Sequence, residues 1–407
     1  MVSFDSLFMR KILVYNLIFL ILSTSCTTGN VNGDIHSLVN STIDIAEEQY
    51  EKLASKALQY NNSLPKTYEN DTVVMATSAW WTSGFVPGTL WYLYESGENN
   101  MIKDYAIKLS QRVEDQKFTT DNHDVGFMIY CPFGNAYRME PQKKYRDIII
   151  EASKSLSKRY NPKVGLIRSW DFNADRWQYP VIIDNMMNLE MLCAATQMTN
   201  DSTYIKIAIS HADKTMENHF RDNMSCYHVV SYDTITGKPH VKQTWQGCSD
   251  ESEWSRGQAW ALYGYTMMYR MTGFERYKRQ AEKVASYLLN HPKMPADYIP
   301  YWDFCDPEIP NSLRDASAAA VICSALLELS QYVPQDLSEK YMQVVEKQIM
   351  TLCSSEYLAK KGELGGFILK HSVGSLPHKS EVDVPLTYAD YYFVEALLRY
   401  KRMKSGN

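Results

Sequence analysis

Apolar positions recur at helical spacing along most of the chain, and the period-two alternation of strands is scarce. Met186, Leu189, Leu192, Ala195 and Thr196 fall on one face at spacings of three and four, and so do Val321, Ala325, Leu326 and Leu329. The pattern predicts helices over 35–59, 83–96, 100–117, 123–138, 142–160, 182–199, 202–220, 254–272, 275–291, 312–331, 336–353 and 385–403. Short links (139–141, 273–274) alternate with long ones (160–181, 221–253, 292–311, 354–384) rich in Trp, Asp, His, Gly and Pro. Paired helices with decorated loops at one end suit an all-α fold, an (α/α)6 barrel of six hairpins with its site at one mouth. An α-solenoid is the competing architecture, but no sequence period recurs.

The first 34 residues lie outside this pattern. Arg10 and Lys11 precede an apolar run, Ile12 to Leu22, broken by Tyr15 and Asn16, and Ser23, Thr24 and Ser25 lead to Cys26. This predicts a signal peptide over 1–25, too short to span a bilayer. A lipid anchor is expected on Cys26, a flexible tether over 26–34 and one catalytic domain over 35–407. The protein is then exported, periplasmic or held to a membrane only through that anchor.

Composition narrows the chemistry. A net charge of −5 argues against nucleic acid as a partner, while 9 Trp and 29 Tyr suit either a large aromatic core or stacked sugar rings. Apart from Cys26, seven cysteines remain (131, 193, 226, 248, 305, 323, 353), with no CxxC spacing. No metal and no cofactor are expected, and phosphate-loop, serine-hydrolase and zinc-protease motifs are missing.

Carboxylates at helix starts stand out. Asp124 in His123-Asp124-Val125-Gly126-Phe127 and Asp184 in Ile182-Ile183-Asp184-Asn185 each precede apolar residues. Both suit helix capping, and both suit acid–base work, since burial would raise a carboxyl pKa. Arg256 lies between Trp254 and Trp260, either as a bidentate anion partner or paired with Glu253 one turn away. Trp80 and Trp81 read as a sugar platform or as a hydrophobic staple. Two carboxylates, an arginine and several Trp and His at the same ends of alternate helices fit a carbohydrate site.

Six blocks carry a resemblance: WTSGFVPGTLWYLYE (81–95), HDVGF (123–127), IIDNMMNLEML (182–192), DESEWSRGQAWALYGY (250–265), DASAAAVICSALLEL (315–329) and YADYYFVEALLRY (388–400). Together they resemble the unsaturated glucuronyl hydrolases, glycoside hydrolase family 88. The resemblance implies an (α/α)6 barrel acting on unsaturated uronyl oligosaccharides made by polysaccharide lyases. It implies Asp184 as general acid/base and Asp124 as a second carboxylate, expected to stay ionised. It implies His123, Trp81, Trp170, His228, Gln246, Trp254, Arg256 and Tyr388 as substrate contacts. The weighed alternatives are an unsaturated galacturonyl-rhamnose hydrolase of pectin fragments and a non-catalytic glycan-binding lipoprotein.

Overall fold

A computed structural model describes residues 31–405. Cys26 and the expected signal peptide lie outside them. The first helix, α1, spans Val31–Leu58, so the last four residues of the expected tether are helical.

The remaining helices are α2 (Phe85–Gly97), α3 (Asn100–Val113), α4 (Val125–Ile129), α5 (Asn135–Met139), α6 (Lys143–Ser157), α7 (Leu189–Thr199), α8 (Ser202–Asn218), α9 (Ser255–Thr272), α10 (Glu275–Leu289), α11 (Ala316–Leu329), α12 (Gln335–Leu352) and α13 (Thr387–Ser405). A π turn, Tyr130–Gly134, joins α4 to α5 as one rod. Pro132 lies inside it, where a missing N–H and a bulky ring break the regular ladder. A 3-10 turn, Ile183–Asn188, runs directly into α7. Counted as rods, these are the twelve expected helices.

Six rods form an inner ring: α2, α4–α5, α7, α9, α11 and α13. Each packs on the next, and α13 closes the ring against α2. The inner helices are buried nearly all round; every residue of α11 is buried. The outer helices α1, α3, α6, α8, α10 and α12 bury one stripe. In α10 that stripe is Tyr277, Gln280, Ala281, Val284, Ala285 and Leu288. A wholly apolar helix needs cover on all sides and a striped one needs water on its back, so the pattern sorts inner from outer. The fold is an (α/α)6 barrel.

Four small antiparallel sheets were not expected: β1–β2 (Ser63–Glu69, Thr72–Thr77), β3–β4 (Tyr160–Asn161, Leu166–Ile167), β5–β6–β7 (Pro180–Ile182, Val229–Tyr232, Pro239–Gln243) and β8–β9 (Ser372–Ser375, Ser380–Val384). Seven of the nine strands have only two to five residues, too few to print an alternation on the sequence, and all lie in the links that enter inner helices.

Ion pairs lace the other end of the ring. Glu95 of α2 binds Arg138 of α5 at 2.6 Å and pairs with Arg402 of α13. Arg270 of α9 binds Glu190 of α7 at 2.9 Å and Glu328 of α11 at 2.7 Å, and Glu328 takes Arg399 of α13 at 2.8 Å. All six inner rods are thereby tied.

Candidate active site

The starts of the inner helices converge on one mouth. Trp81, just before α2, packs its ring 4.9 Å from Tyr388 at the start of α13 and 5.8 Å from Phe127 of α4. His123 and Asp124 stand before α4, Asp184 in the turn before α7, and Trp254 and Arg256 at the start of α9.

Two close approaches bring the carboxyls together. A Cβ on Gly126 would sit 2.4 Å from Asn188 Oδ1 and 2.8 Å from Asn188 Cα, so only glycine lets the Asp184 turn lie against α4. Asn188 Oδ1 then accepts the Phe127 N–H at 2.9 Å and caps α4. The β5–β6 pairing, extended by Ile183 N–H to His228 O at 3.1 Å, sets His228 beside Asp184.

Neither aspartate caps its helix: the Asp124 carboxyl makes no capping bond to α4, and Asp184 lies inside its turn, whose cap position is Ile182. Burial pushes the Asp184 pKa up to about 7, against the pull of the Arg256 charge, a backbone N–H and the Trp260 indole. Burial and the neighbouring Asp184 charge push Asp124 up to about 8, against Arg159. The expectation of an ionised Asp124 is therefore corrected. The like charge of Asp184 stands close by and Arg159 offsets it only in part, so the Asp124 carboxyl, like that of Asp184, is shifted toward its protonated form.

His228 Nδ1 accepts the N–H groups of Trp245 at 3.0 Å and Gln246 at 3.2 Å. That places the ring proton on Nε2, which faces Asp184 Oδ2 at 3.7 Å. Burial holds His228 and His123 down at about 3, so both are neutral. Gln246 thus reaches the site through its backbone. His123 Nε2 lies 3.4 Å from Asp124 Oδ1.

Arg256 is not paired with Glu253. Glu253 instead takes His291 at 3.1 Å and Asn223 at 2.9 Å. Arg256 binds buried Asp315, the N-cap of α11, at 3.0 Å, and donates to the carbonyls of Gly374 at 2.6 Å and Val373. Its guanidinium lies 4.5 Å from the Trp254 ring and 5.2 Å from that of Tyr388. Gly257 makes room for this stack, since a Cβ there would meet Trp254 Cε3 at 2.8 Å. Its Nη groups make three bonds inside the protein, while Nε is without a partner and stays open to a ligand.

Trp170 stacks on exposed Phe172 at 4.8 Å, and Trp245 extends the patch 5.8 Å from Phe172. Sequence reasoning missed Asp315, Trp260, Phe172 and Trp245. Asp315 had a signal, an Asp before the small-residue run of α11, and Trp260 follows Arg256 by one helical turn. Nothing in the sequence marked the two loop aromatics.

Buried polar atoms without a protein partner collect here: His123 Nδ1, Trp170 Nε1, Asp184 Oδ2, His228 Nε2, Arg256 Nε, Trp260 Nε1 and the Tyr388 hydroxyl. Folded proteins rarely leave such groups unmet, so a concentration of them marks where a polar ligand completes the site. Among the described residues no group of three or more His, Cys, Asp or Glu is placed to hold a metal ion.

The family model Glycosyl Hydrolase Family 88 matches residues 56–402. The chain belongs to that family. It is 44% identical over 360 residues to an unsaturated glucuronyl hydrolase of Formosa agariphila, covering 88% of this chain and 89% of the relative. It is 32% identical over 347 residues to an unsaturated chondroitin disaccharide hydrolase of Streptococcus pneumoniae, covering 83% and 85%. A solved unsaturated glucuronyl hydrolase specific for heparin superposes with a TM-score of 0.86 at 47% identity, over 89% of this chain and 98% of that one. The Bacillus sp. GL1 enzyme, responsible for the degradation of glycosaminoglycan, superposes at 0.82 with 26% identity, over 88% and 96%. The family 88 chain is thus a glycoside hydrolase.

Two outcomes follow from the geometry. Arg256→Ala leaves Asp315 buried and unpaired, so a loss of about 3–5 kcal/mol in denaturant unfolding is expected, not a binding defect alone. For Asp124, the folded protein holds a proton that the unfolded chain has released between the ordinary carboxylate pKa and about 8. Its contribution to stability is full at low pH and is lost as pH rises through that range. Asp124→Asn is therefore expected to melt about 2–5 °C above wild type near pH 8, the difference closing near pH 4.

Proposed function

We propose that this enzyme removes the 4,5-unsaturated glucuronic acid from the non-reducing end of lyase-generated glycosaminoglycan fragments by hydrating the C4=C5 bond. The observation that carries the reading is the pair of carboxyls at the mouth, Asp184 buried and Asp124 half-buried, both shifted toward the protonated form and set among unmet polar atoms in a family 88 barrel. The substrate is an enol ether, with the ring oxygen on C5. Asp184 protonates C4, and an oxocarbenium ion forms across C5 and O5. Water adds at C5 and passes a proton to the Asp184 carboxylate, which restores the acid. The resulting hemiketal opens, and the glycosidic link falls apart without protonation of its oxygen.

The environment suits these steps. A carboxyl near pKa 7 can give a proton and take one back at neutral pH. Asp124 shares the proton load, and once ionised it stabilises the cation. Neutral His228 keeps a donor toward Asp184 Oδ2 through the whole cycle. Trp81, backed by buried Tyr388, and the Trp170–Phe172 stack supply apolar surface for sugar rings. In a Streptococcus agalactiae relative, 26% identical, an aspartate-to-asparagine variant has been solved with dGlcA-GalNAc6S.

The reaction run in heavy water, with product analysis by NMR, is expected to place deuterium at C4, and a thio-linked unsaturated uronide is expected to be cleaved. A bound but intact thio-linked substrate, together with no label at C4, would return the two aspartates to conventional glycosidase roles. Asp184→Asn is expected to bind unsaturated disaccharide and lose at least about 100-fold in kcat. Turnover within tenfold of wild type excludes it as the acid.

We further propose export with a lipid on Cys26, supported by the basic, apolar and small-residue succession of the first 26 positions. Cys26→Ala is expected to move the protein from the membrane to the soluble fraction; unchanged partitioning removes the anchor.

A further inference from the structure

We infer that Asn185 is a positioning residue: its side-chain carbonyl holds the His123 proton on Nδ1, which leaves His123 Nε2 facing Asp124 as a hydrogen-bond acceptor. The inference rests on the two-carboxyl reading above and adds a residue to it.

Asn185 follows Asp184 directly in the 3-10 turn and is fully buried. Its Nδ2 donates to the Ile167 carbonyl at 3.0 Å. A carbonyl only accepts, so this contact fixes which way the amide points, and Oδ1 is the end that remains. The Asn185 side chain lies within hydrogen-bonding reach of the His123 ring and favours a proton on it. Asn185 Oδ1 and His123 Nδ1 are both buried, and neither has another partner among the described residues.

The surrounding backbone holds the two groups in place. His123 N–H donates to Ser169 O at 2.9 Å, and Ser169 Oγ accepts Ile182 N–H at 2.9 Å, so one residue clamps the His123 loop to the Asp184 turn. Ile167, whose carbonyl takes Asn185, gives its own N–H to His211 Nδ1 at 3.0 Å.

Burial keeps His123 neutral, and a neutral imidazole carries one proton. With that proton on Nδ1, Nε2 brings a lone pair to Asp124 Oδ1 at 3.4 Å. A carboxylate there would meet lone pair with lone pair, whereas the O–H of a protonated Asp124 meets an acceptor. The arrangement is opposite to that at His228, whose Nε2–H faces Asp184. The other titratable groups that act on this pair are Asp184, Arg159 and buried, neutral His211. They act through charge and leave the choice of ring nitrogen to Asn185.

Long-range proton–nitrogen NMR of histidine-labelled protein without substrate reads the tautomer, with His123→Gln to assign the signal. Wild type is expected to carry the His123 proton on Nδ1. Asn185→Leu, similar in size and without an acceptor, is expected to shift the ring toward Nε2–H by about threefold or more. The alkaline limb of kcat for unsaturated disaccharide is expected to move to lower pH by about 0.4–1, since the protonated carboxyl pair has lost an acceptor, with KM little changed. A role confined to packing would lower activity at every pH and leave that limb in place. A wild-type proton on Nε2, or an unmoved limb in folded Asn185→Leu, overturns the inference. The tautomer is read without turnover, so it stands or falls apart from the deuterium label at C4.

Discussion

Arg256 and Asp315 form an ion pair with almost no solvent contact, and the catalytic mouth is assembled around it. One guanidinium joins the start of α9 to the cap of α11 and to two carbonyls of β8. Its faces carry Trp254 and Tyr388, so the aromatic wall is positioned by the same group. Two buried charges are costly to desolvate, and the pair stabilises little unless every remaining donor and acceptor is met. Here they are met except at Nε. The constraint explains why arginine stands at this position: a lysine could neutralise Asp315 but could not reach three acceptors in a plane. It also sets the Asp184 electrostatics, because the nearest full positive charge is already balanced by Asp315 and lowers that carboxyl only in part.

A second carboxylate holds the neighbouring loop. Asp303 accepts the N–H groups of Cys248 and Cys305, both at 2.8 Å, and the Ser252 hydroxyl at 2.7 Å. The segment that bends around it includes Trp245 and Gln246, whose amides fix the His228 tautomer. Site geometry thus rests on backbone groups held by buried acids, which positions donors more rigidly than long side chains would. Cys248 and Cys305 themselves are exposed, whereas five other cysteines are buried and behave as small apolar residues.

The fold was legible because its helices carry a dense signal. All twelve rods appear from spacing alone, since each buries a stripe or a whole surface. What failed to show were the features that depend on partners far along the chain. The β5–β6 pairing joins residues about fifty positions apart through three-residue ladders. Asp315 meets Arg256 across 59 positions, and no local pattern announces the pair. The resemblance supplied the site residues as a set, with Arg256 as a substrate contact, and could not show that the same guanidinium also ties the scaffold together. Sequence alone offered Glu253 as the one protein partner for Arg256, beside an anion, because only near neighbours are visible at helical spacing. The ionised state expected of Asp124 came from the role that the resemblance implies, and no local pattern shows that the fold sets the Asp184 charge beside it.

Helix starts ordinarily lower a carboxyl pKa, and both aspartates stand at helix starts with raised values. The resolution lies in what satisfies the helix ends. Asn188 gives its side-chain oxygen to Phe127 N–H, so α4 is capped by a neutral amide from the neighbouring turn. With the Phe127 donor met by another residue, Asp124 makes no capping bond there, and what remains is the diffuse dipole, worth about 0.3–1 kcal/mol and at most ~2. Desolvation of a buried carboxylate exceeds this, as shifts of several pKa units at buried positions imply. The same Asn188 needs Gly126 opposite it to approach at all. A cap borrowed from a neighbouring turn and a missing Cβ together leave two acids poor in partners where a capping role would have made them strong. Poverty of partners is what a carboxyl needs in order to hold a proton at neutral pH and to part with it when a better acceptor arrives.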